Sequence, residues 1–426
     1  MAEQCGERAQ HDGEDEGRDR ERVEPGTRTR QRHLLDLRAR ERRALDTVRA
    51  LVDGGAHALT VSRSVVAVTE PGIASSAKPD ARPLVIAHRG ASGYRPEHTE
   101  SAYRLALALG AEAIEPDVVA TRDGELVLRH ENEISGTTDV AEHSEFADRR
   151  TTREIDGARV TGWFTEDFTW AELSTLRARE RLPQVRPASA RFDGRFGLLR
   201  LRDLQRLIDE APPAPGTGRP VRLVVEVKHA THFAARGLPL DELVEAELRG
   251  WGQPGQLVVE AFEQTVLGQL RDRGLAAEYV YLLEKSGSAA DLVARYGAAA
   301  ISYAGQLTDA GLARLAAAGI DGVSVDTALL VKAEPRGAGQ LGSAWTPVGN
   351  GIAASDLVER ARAAGLATCT WTLRAENRFL PAPCRIGASG AAPGDWMTFF
   401  QAVMRAGLDG VFADQPDLAL EARAAL

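Results

Sequence analysis

Residues 83–121 read PLVIAHRGASGYRPEHTESAYRLALALGAEAIEPDVVAT, one complete strand, helix, strand unit. PLVIAHRG (83–90) is a short apolar run that ends in a charged pair and a glycine. ESAYRLALALG (100–110) carries the apolar spacing of an amphipathic helix and closes on the glycine expected after one. AIEPDVVAT (113–121) is a second β-rich run.

The rhythm then repeats. RLVVEVKH (222–229), LVVEAF (257–262), EYVYLLE (278–284), DGVSVD (321–326), ATCTWTLR (367–374) and DGVFAD (409–414) are further strand candidates. Between them lie amphipathic stretches such as LRDLQRLIDEA, DELVEAELRGW, EQTVLGQLRDR, DAGLARLAAAG, SDLVERARAAG and WMTFFQAVMRAG. Strands alternating with helices in this number predict an α/β chain folded as a TIM-type (β/α)8 barrel rather than an open doubly wound sheet.

Two features exceed a minimal barrel. ELVLRH (125–130) reads as an extra strand joined to the second through the turn RDGE, and roughly 131–199 is a long polar insertion expected to form a small cap over one rim. Residues 1–80 are expected to be a charged, disordered extension, with the barrel domain spanning 81–426; the first 48 or so residues mix Arg, Glu, Asp and Gln with few apolar positions.

Composition excludes some functions. The net charge of -9 argues against nucleic-acid binding, because a phosphate backbone is held by clustered excess Lys and Arg. No stretch approaches the roughly 20 apolar residues of a membrane span. The N-terminus lacks the order of a signal peptide, so a start at Met1 implies a cytoplasmic chain. Cys5, Cys369 and Cys384 show no zinc spacing, and free thiols are expected over a Cys369 to Cys384 bridge.

Chemistry gathers at the ends of the strands. A charged residue on a buried strand is expensive unless paired or bound to metal, and in this architecture the C-terminal strand ends form the active rim. The first strand ends in His88 and Arg89, the second carries Glu115 and Asp117 two apart, the extra strand ends in His130, and the third carries Glu226 and Lys228 two apart. Period-two spacing aims each pair at one face. The plain alternatives are a salt bridge at Glu115 and Asp117 and a mutual ion pair at Glu226 and Lys228; the latter is compatible with function. Lys228 stands out because Arg replaces Lys nearly everywhere else, leaving only Lys78, Lys285 and Lys332.

Three inward carboxylates without His or Cys ligand spacing suit a hard divalent cation, Ca²⁺ or Mg²⁺ rather than zinc. A metal, an Arg and a Lys together suit a phosphate substrate.

The segment IAHRGASGYRPEHTESAYRLALALGAEAIEPDVVATRDGELVLRHENEISGTTDV (86–140) resembles the signature region of the glycerophosphodiester phosphodiesterases. HRG, PEHT, E-x-D, a TxDG-like turn, His before an acidic residue and TTD follow in that family's order, and EVK (226–228), AFE (261–263), WTLRAEN (371–377) and DGVFADQPD (409–417) extend the likeness. PEHT and TGWFTEDFT (161–169) bring it nearest the bacterial, periplasmic-type branch, whose members are often exported. Glu131 follows His130 where many members have Asp, and Glu260 and Ala261 stand where Gln and Ser are common.

The resemblance implies metal-dependent hydrolysis of a small glycerophosphodiester to an alcohol and glycerol 3-phosphate. Ca²⁺, with Mg²⁺ as alternative, would be held by Glu115, Asp117 and Glu226. His88 and His130 would be the acid/base pair, Arg89 and Lys228 would face the phosphate, and Glu97, Phe262 and Trp371 would line the substrate. His98 is expected to fill a structural hydrogen-bonding position. Direct attack by water and attack by the neighbouring glycerol hydroxyl both stay open, as does oligomeric state. Larger lipid substrates and a barrel that binds without turnover are the competing readings; a polar 131–199 segment weighs against the first, the presence of both histidines against the second.

Overall fold

A computed structural model of the chain describes residues 82–334 and 344–426. The expected N-terminal extension, Cys5 and Lys78 lie outside these described residues.

Numbered along the chain, the barrel strands are β1 (Leu84–His88), β2 (Ala113–Glu115 and Asp117–Ala120), β3 (Arg222–Val227), β4 (Leu257–Ala261), β5 (Glu278–Leu283), β6 (Gly322–Asp326), β7 (Ala367–Leu373) and β8 (Gly410–Ala413). Each pairs in parallel with the next, and β8 pairs with β1, so the sheet closes on itself. All eight coincide with strands read from the sequence. Pro116 divides β2 because it has no N–H to give to the ladder.

Helices cover the outside, among them Glu100–Ala108, Leu201–Asp209, Leu240–Leu248, Gln264–Asp272, Asp309–Ala317, Leu357–Ala363 and Trp396–Met404. Thr99 starts the first by accepting the Ala102 N–H at 3.2 Å, satisfying a donor that the helix itself cannot.

Alternation along the strands divides the core in two. Val85, Ala87, Val225, Val259 and Val411 face the helices. Ile86, Ala113, Val224, Val258, Val280, Cys369 and Phe412 point inward and plug the barrel. Fully burying a side chain of this size contributes about 1.5–3 kcal/mol. The register has a chemical consequence: the next inward position, two residues on, is His88, Glu115, Glu226, Glu260, Trp371 or Asp414, with Leu282 on β5 the apolar exception. A dry apolar plug therefore carries a layer of polar side chains at the C-terminal strand ends.

The extra strand, Leu126–Leu128, runs antiparallel to Asp117–Ala120. Within 131–199 a hairpin pairs Thr151–Ile155 with Ala158–Gly162 and its tip reaches the barrel mouth, where Asp156 meets His229 Nδ1 at 2.6 Å. The segment is less polar in place than in composition: Trp163, Phe168 and Leu173 are buried in the main core, and Phe164 is buried as well. A small antiparallel sheet, Val331–Ala333, Trp345–Gly349 and Ile352–Ser355, follows β6 and was not expected from the sequence. Cys369 and Cys384 are both buried free thiols. Among the described residues no helix is long and apolar enough to cross a membrane.

Candidate active site

A cavity of about 830 Å³ opens at the C-terminal strand ends, lined by His88, Arg89, Glu115, His130, Glu226 and Lys228 among others. These six sequence-predicted residues are thus brought together by β1, β2, β3 and the chain beyond the extra strand.

At the end of β1 the chain turns sharply. Arg89 takes a left-handed backbone (φ +58°), and Gly90 (φ +84°) packs so closely on the helix that a Cβ would meet the Ala102 carbonyl carbon at 2.7 Å. Only glycine fits there. The turn sends the Arg89 N–H to Glu115 Oε2 at 2.8 Å and brings the guanidinium to Asp117 Oδ2 (3.1 Å) and Glu97 Oε2 (3.2 Å).

His88 Nδ1 lies 2.6 Å from Asp414 Oδ1, and His130 Nδ1 lies 2.5 Å from Glu131 Oε1. In each ring the Nε2 is left for chemistry. Burial, then the charge of Arg89, lowers His88 to about 4. Burial, Arg89 and Lys228 lower His130 to about 3. Both imidazoles are neutral near pH 7.

The carboxylates divide by environment. Glu115 Oε1 and Glu260 Oε2 are buried without a hydrogen-bond partner. Burial, reinforced by Asp117, holds Glu115 well above the usual range, and burial does the same for Glu260 with Glu226 adding to it. Burial carries Glu226 up to about 8, although Lys228 Nζ donates to its Oε1 at 2.6 Å. Burial acts the same way on Asp117, but Arg89 and Lys228 outweigh it and hold that group well below the usual range.

Among the described residues, the carboxylates whose oxygens lie within 4.8 Å of one another are those of Glu115, Glu226 and Glu260. Asp117, expected as a ligand, stands outside that group. Its Oδ2 receives His98 Nε2 at 2.9 Å, and its Oδ1 faces Lys228 Nζ at 3.6 Å. Buried acceptors with no donor are costly, so a cluster of them that keeps two oxygens free suits a hard divalent cation.

The other expected positions vary. Lys228 is buried and bonded to Glu226, not a solvated strand end. His98 is fully buried between Tyr103 Oη (2.7 Å) and Asp117, the structural position expected. Phe262 and Trp371 line the cavity edge to face, ring centres 5.7 Å apart, with Lys228 Nζ 5.5 Å from the Phe262 centroid. Glu97 sits behind Arg89 and accepts from Nη2 and Nε of Arg181 at 2.7 and 2.8 Å, so it orients the Arg89 guanidinium and is turned from the main cavity.

Sequence reasoning did not assign Glu260, Asp414, Arg181 or Arg186 to the site. Arg186 bonds Glu376 (2.7 Å) and Asp414 (2.6 Å), and Arg181 bridges Glu97 and Glu131. Glu260 and Asp414 carried a readable signal: each lies two residues beyond an inward apolar residue on a buried strand. The two arginines carried none, because composition cannot say which Arg of an Arg-rich insertion faces inward.

Residues 88–418 match the model of the Glycerophosphoryl diester phosphodiesterase family. The chain belongs to that family. A glycerophosphodiester phosphodiesterase of Arabidopsis thaliana is 36% identical over 179 residues, covering 42% of this chain and 47% of the relative. One of Bacillus subtilis is 27% identical over 205 residues, covering 48% and 60%. The chain spans about half the length of the curated relatives it matches. A crystal structure from Silicibacter pomeroyi, assigned to the glycerophosphoryl diester phosphodiesterases, shares the fold with a TM-score of 0.52 at 21% identity, covering 81% of this chain and 94% of the other. In this glycerophosphoryl diester phosphodiesterase family member the matched span starts at His88 and takes in every site residue named above.

Proposed function

We propose that the chain hydrolyses small glycerophosphodiesters to an alcohol and glycerol 3-phosphate with the help of a divalent cation, Ca²⁺ or Mg²⁺. One observation carries the reading. Two imidazoles, each with Nδ1 fixed by a carboxylate, share a cavity with unpartnered carboxylate oxygens and with the cations Arg89 and Lys228.

Glu115, Glu226 and Glu260 would hold the ion, with Asp117, outside that group, as a further oxygen donor beside it. When bound, the ion supplies positive charge against the phosphoryl oxygens. Arg89 and Lys228 add fixed charge to the same group, worth most where water is excluded. One histidine takes the proton of the attacking oxygen, that of water or of the neighbouring glycerol hydroxyl, through Nε2, and the other returns a proton to the leaving alkoxide; after hydroxyl attack, water then opens the cyclic phosphate. The anionic phosphodiester favours the protonated form of the imidazole it meets, which offsets the low pKa of the free site. Asp414 and Glu131 keep each ring oriented and stabilise the imidazolium when it forms.

Glycerol 3-phosphate release from glycerophosphocholine tests this, measured with EDTA, with Ca²⁺ or Mg²⁺ restored, and with His88→Ala. Turnover that EDTA abolishes, a divalent ion restores and His88→Ala lacks is the expected result. A folded protein that releases nothing with any ion overturns it.

A further inference from the structure

None of residues 161–169, TGWFTEDFT, lines the cavity, yet this stretch is laced to the chain that leaves it. The Ile134 N–H donates to the Trp163 carbonyl at 2.9 Å, and the Thr165 N–H donates to the Asn132 carbonyl at 2.8 Å. Asn132 lies two residues beyond His130. Its side-chain Nδ2 donates to both oxygens of Glu166, 3.1 and 3.2 Å away, so Asn132 is gripped by its carbonyl and its amide alike.

Glu166 is buried, and two more side chains converge on its Oε1. Arg153 Nη1 arrives from the hairpin at 2.6 Å, and His232 Nε2 arrives from the short helix Ala230–Ala234 after β3 at 2.7 Å. Arg236 Nη1 lies 3.1 Å from His232 Nδ1. A guanidinium can only donate, so Nδ1 accepts and Nε2 carries the proton given to Glu166. A buried carboxylate needs such donors for packing alone. The place of Asn132 in the chain gives this one a consequence for the chemistry.

His130 hangs between two fixed points. Upstream, the Arg129 N–H donates to the Asp117 carbonyl at 3.1 Å, and the buried Arg129 guanidinium donates to the Leu128, Thr137 and Glu97 carbonyls at 2.8, 3.3 and 3.4 Å. Downstream stands Asn132. Among the described residues no backbone–backbone hydrogen bond holds His130 or Glu131 themselves. The two ends of this short span therefore set the direction in which the His130 ring points into the cavity.

We infer that Glu166 is a positioning residue for the reaction: through Asn132 it fixes the downstream end of the span and so aims His130 at the phosphodiester. The substrate rests on the phosphodiesterase reading; the aiming of the ring does not.

Asn132→Ala and Glu166→Ala test this in the full-length, metal-loaded protein. Each should lower kcat for glycerophosphocholine about 10- to 100-fold with KM changed less than about twofold, the effect of a displaced catalytic group. The double variant should be no worse than the poorer single, because both substitutions cut one chain of contacts. Proton NMR of the imidazole N–H region gives a reading that needs no turnover. The His130 Nδ1 resonance, assigned by its absence in His130→Ala, should vanish from both variants, while that of His88, held by Asp414, stays. Wild-type kcat in Asn132→Ala, or a His130 resonance unmoved by it, overturns the inference, as does the loss of both histidine resonances together, the mark of a general loosening. Should Glu166→Ala not fold, Asn132→Ala decides alone, because its carbonyl still accepts the Thr165 N–H. If the wild type cleaves no diester, the phosphodiesterase reading fails, and the His130 resonance still decides the positioning role.

Discussion

Glu226 and Glu260 sit on the same rung of adjacent parallel strands, each two residues beyond a valine that plugs the barrel. Burial raises both groups, and Lys228 answers only Glu226 at bonding distance. Burial therefore favours the protonated form of Glu260 in the metal-free protein, and Gln is a near isostere of that form. Glu260→Gln should leave the metal-free Tm almost unchanged while weakening Ca²⁺ or Mg²⁺ binding about 10- to 100-fold, since ligand charge sets the affinity of such sites. Isothermal titration reads the change directly; equal affinities in the two proteins would remove Glu260 from the ion's surroundings.

His88 and His98 make opposite predictions from neighbouring positions. His88 faces the cavity with Nε2 free, so His88→Ala should lower kcat by about 10²- to 10⁴-fold at an unchanged Tm. His98 bridges Tyr103 and Asp117 in the interior, so His98→Ala leaves buried groups unsatisfied and should cost about 2–4 kcal/mol. Denaturant unfolding and steady-state assays of both variants separate the roles. A His98→Ala protein of normal stability but no activity would contradict the structural assignment.

Arg181 ties the insertion to the chemistry. Its guanidinium joins Glu97, which holds Arg89, to Glu131, which holds His130. Arg181→Ala should lower kcat/KM by about 10²-fold through displacement of those two groups. Arg181→Lys should restore only part of it, because an ammonium cannot span two carboxylates as a planar fork does. Circular dichroism at the assay temperature confirms that the fold persists, and full activity in Arg181→Ala would show the insertion to be bystander structure.

The barrel was legible because parallel strands buried on both faces read as apolar runs, and because a charge at the end of such a run is conspicuous. His88, Glu115, Glu226 and Lys228 were found that way. Glu260 met the same criterion within LVVEAF but was read only as a departure from a family pattern, and Asp414 was passed over within DGVFAD. The insertion was harder for a physical reason. Its buried Trp163–Phe164 pair and Phe168 sit at irregular spacing among polar and charged residues, so no period marks the face that packs, and Arg181 and Arg186 acquire meaning only from carboxylates distant in the chain. The small sheet after β6 begins with a three-residue strand, Val331–Ala333, too short to announce itself by alternation.

Glu263 gives the last prediction, on pH. Burial raises its folded-state pKa from 4.5 to about 7, and only the Thr231 hydrogen bonds oppose the shift. Between those values the native protein binds more protons than the unfolded chain, so this group's contribution to stability is present below about pH 4.5 and is lost as pH rises through about 7. The loss amounts to about 3 kcal/mol at most. Gln cannot ionise, yet its carbonyl can still accept from Thr231. Glu263→Gln should therefore match the wild-type Tm near pH 5 and exceed it increasingly up to pH 8, where it levels off. Thermal unfolding of the two proteins across that range, in metal-free buffer, isolates this residue from the other carboxylates that titrate in both. A Tm difference that does not grow with pH would mean that Glu263 already has a counter-charge in the folded protein.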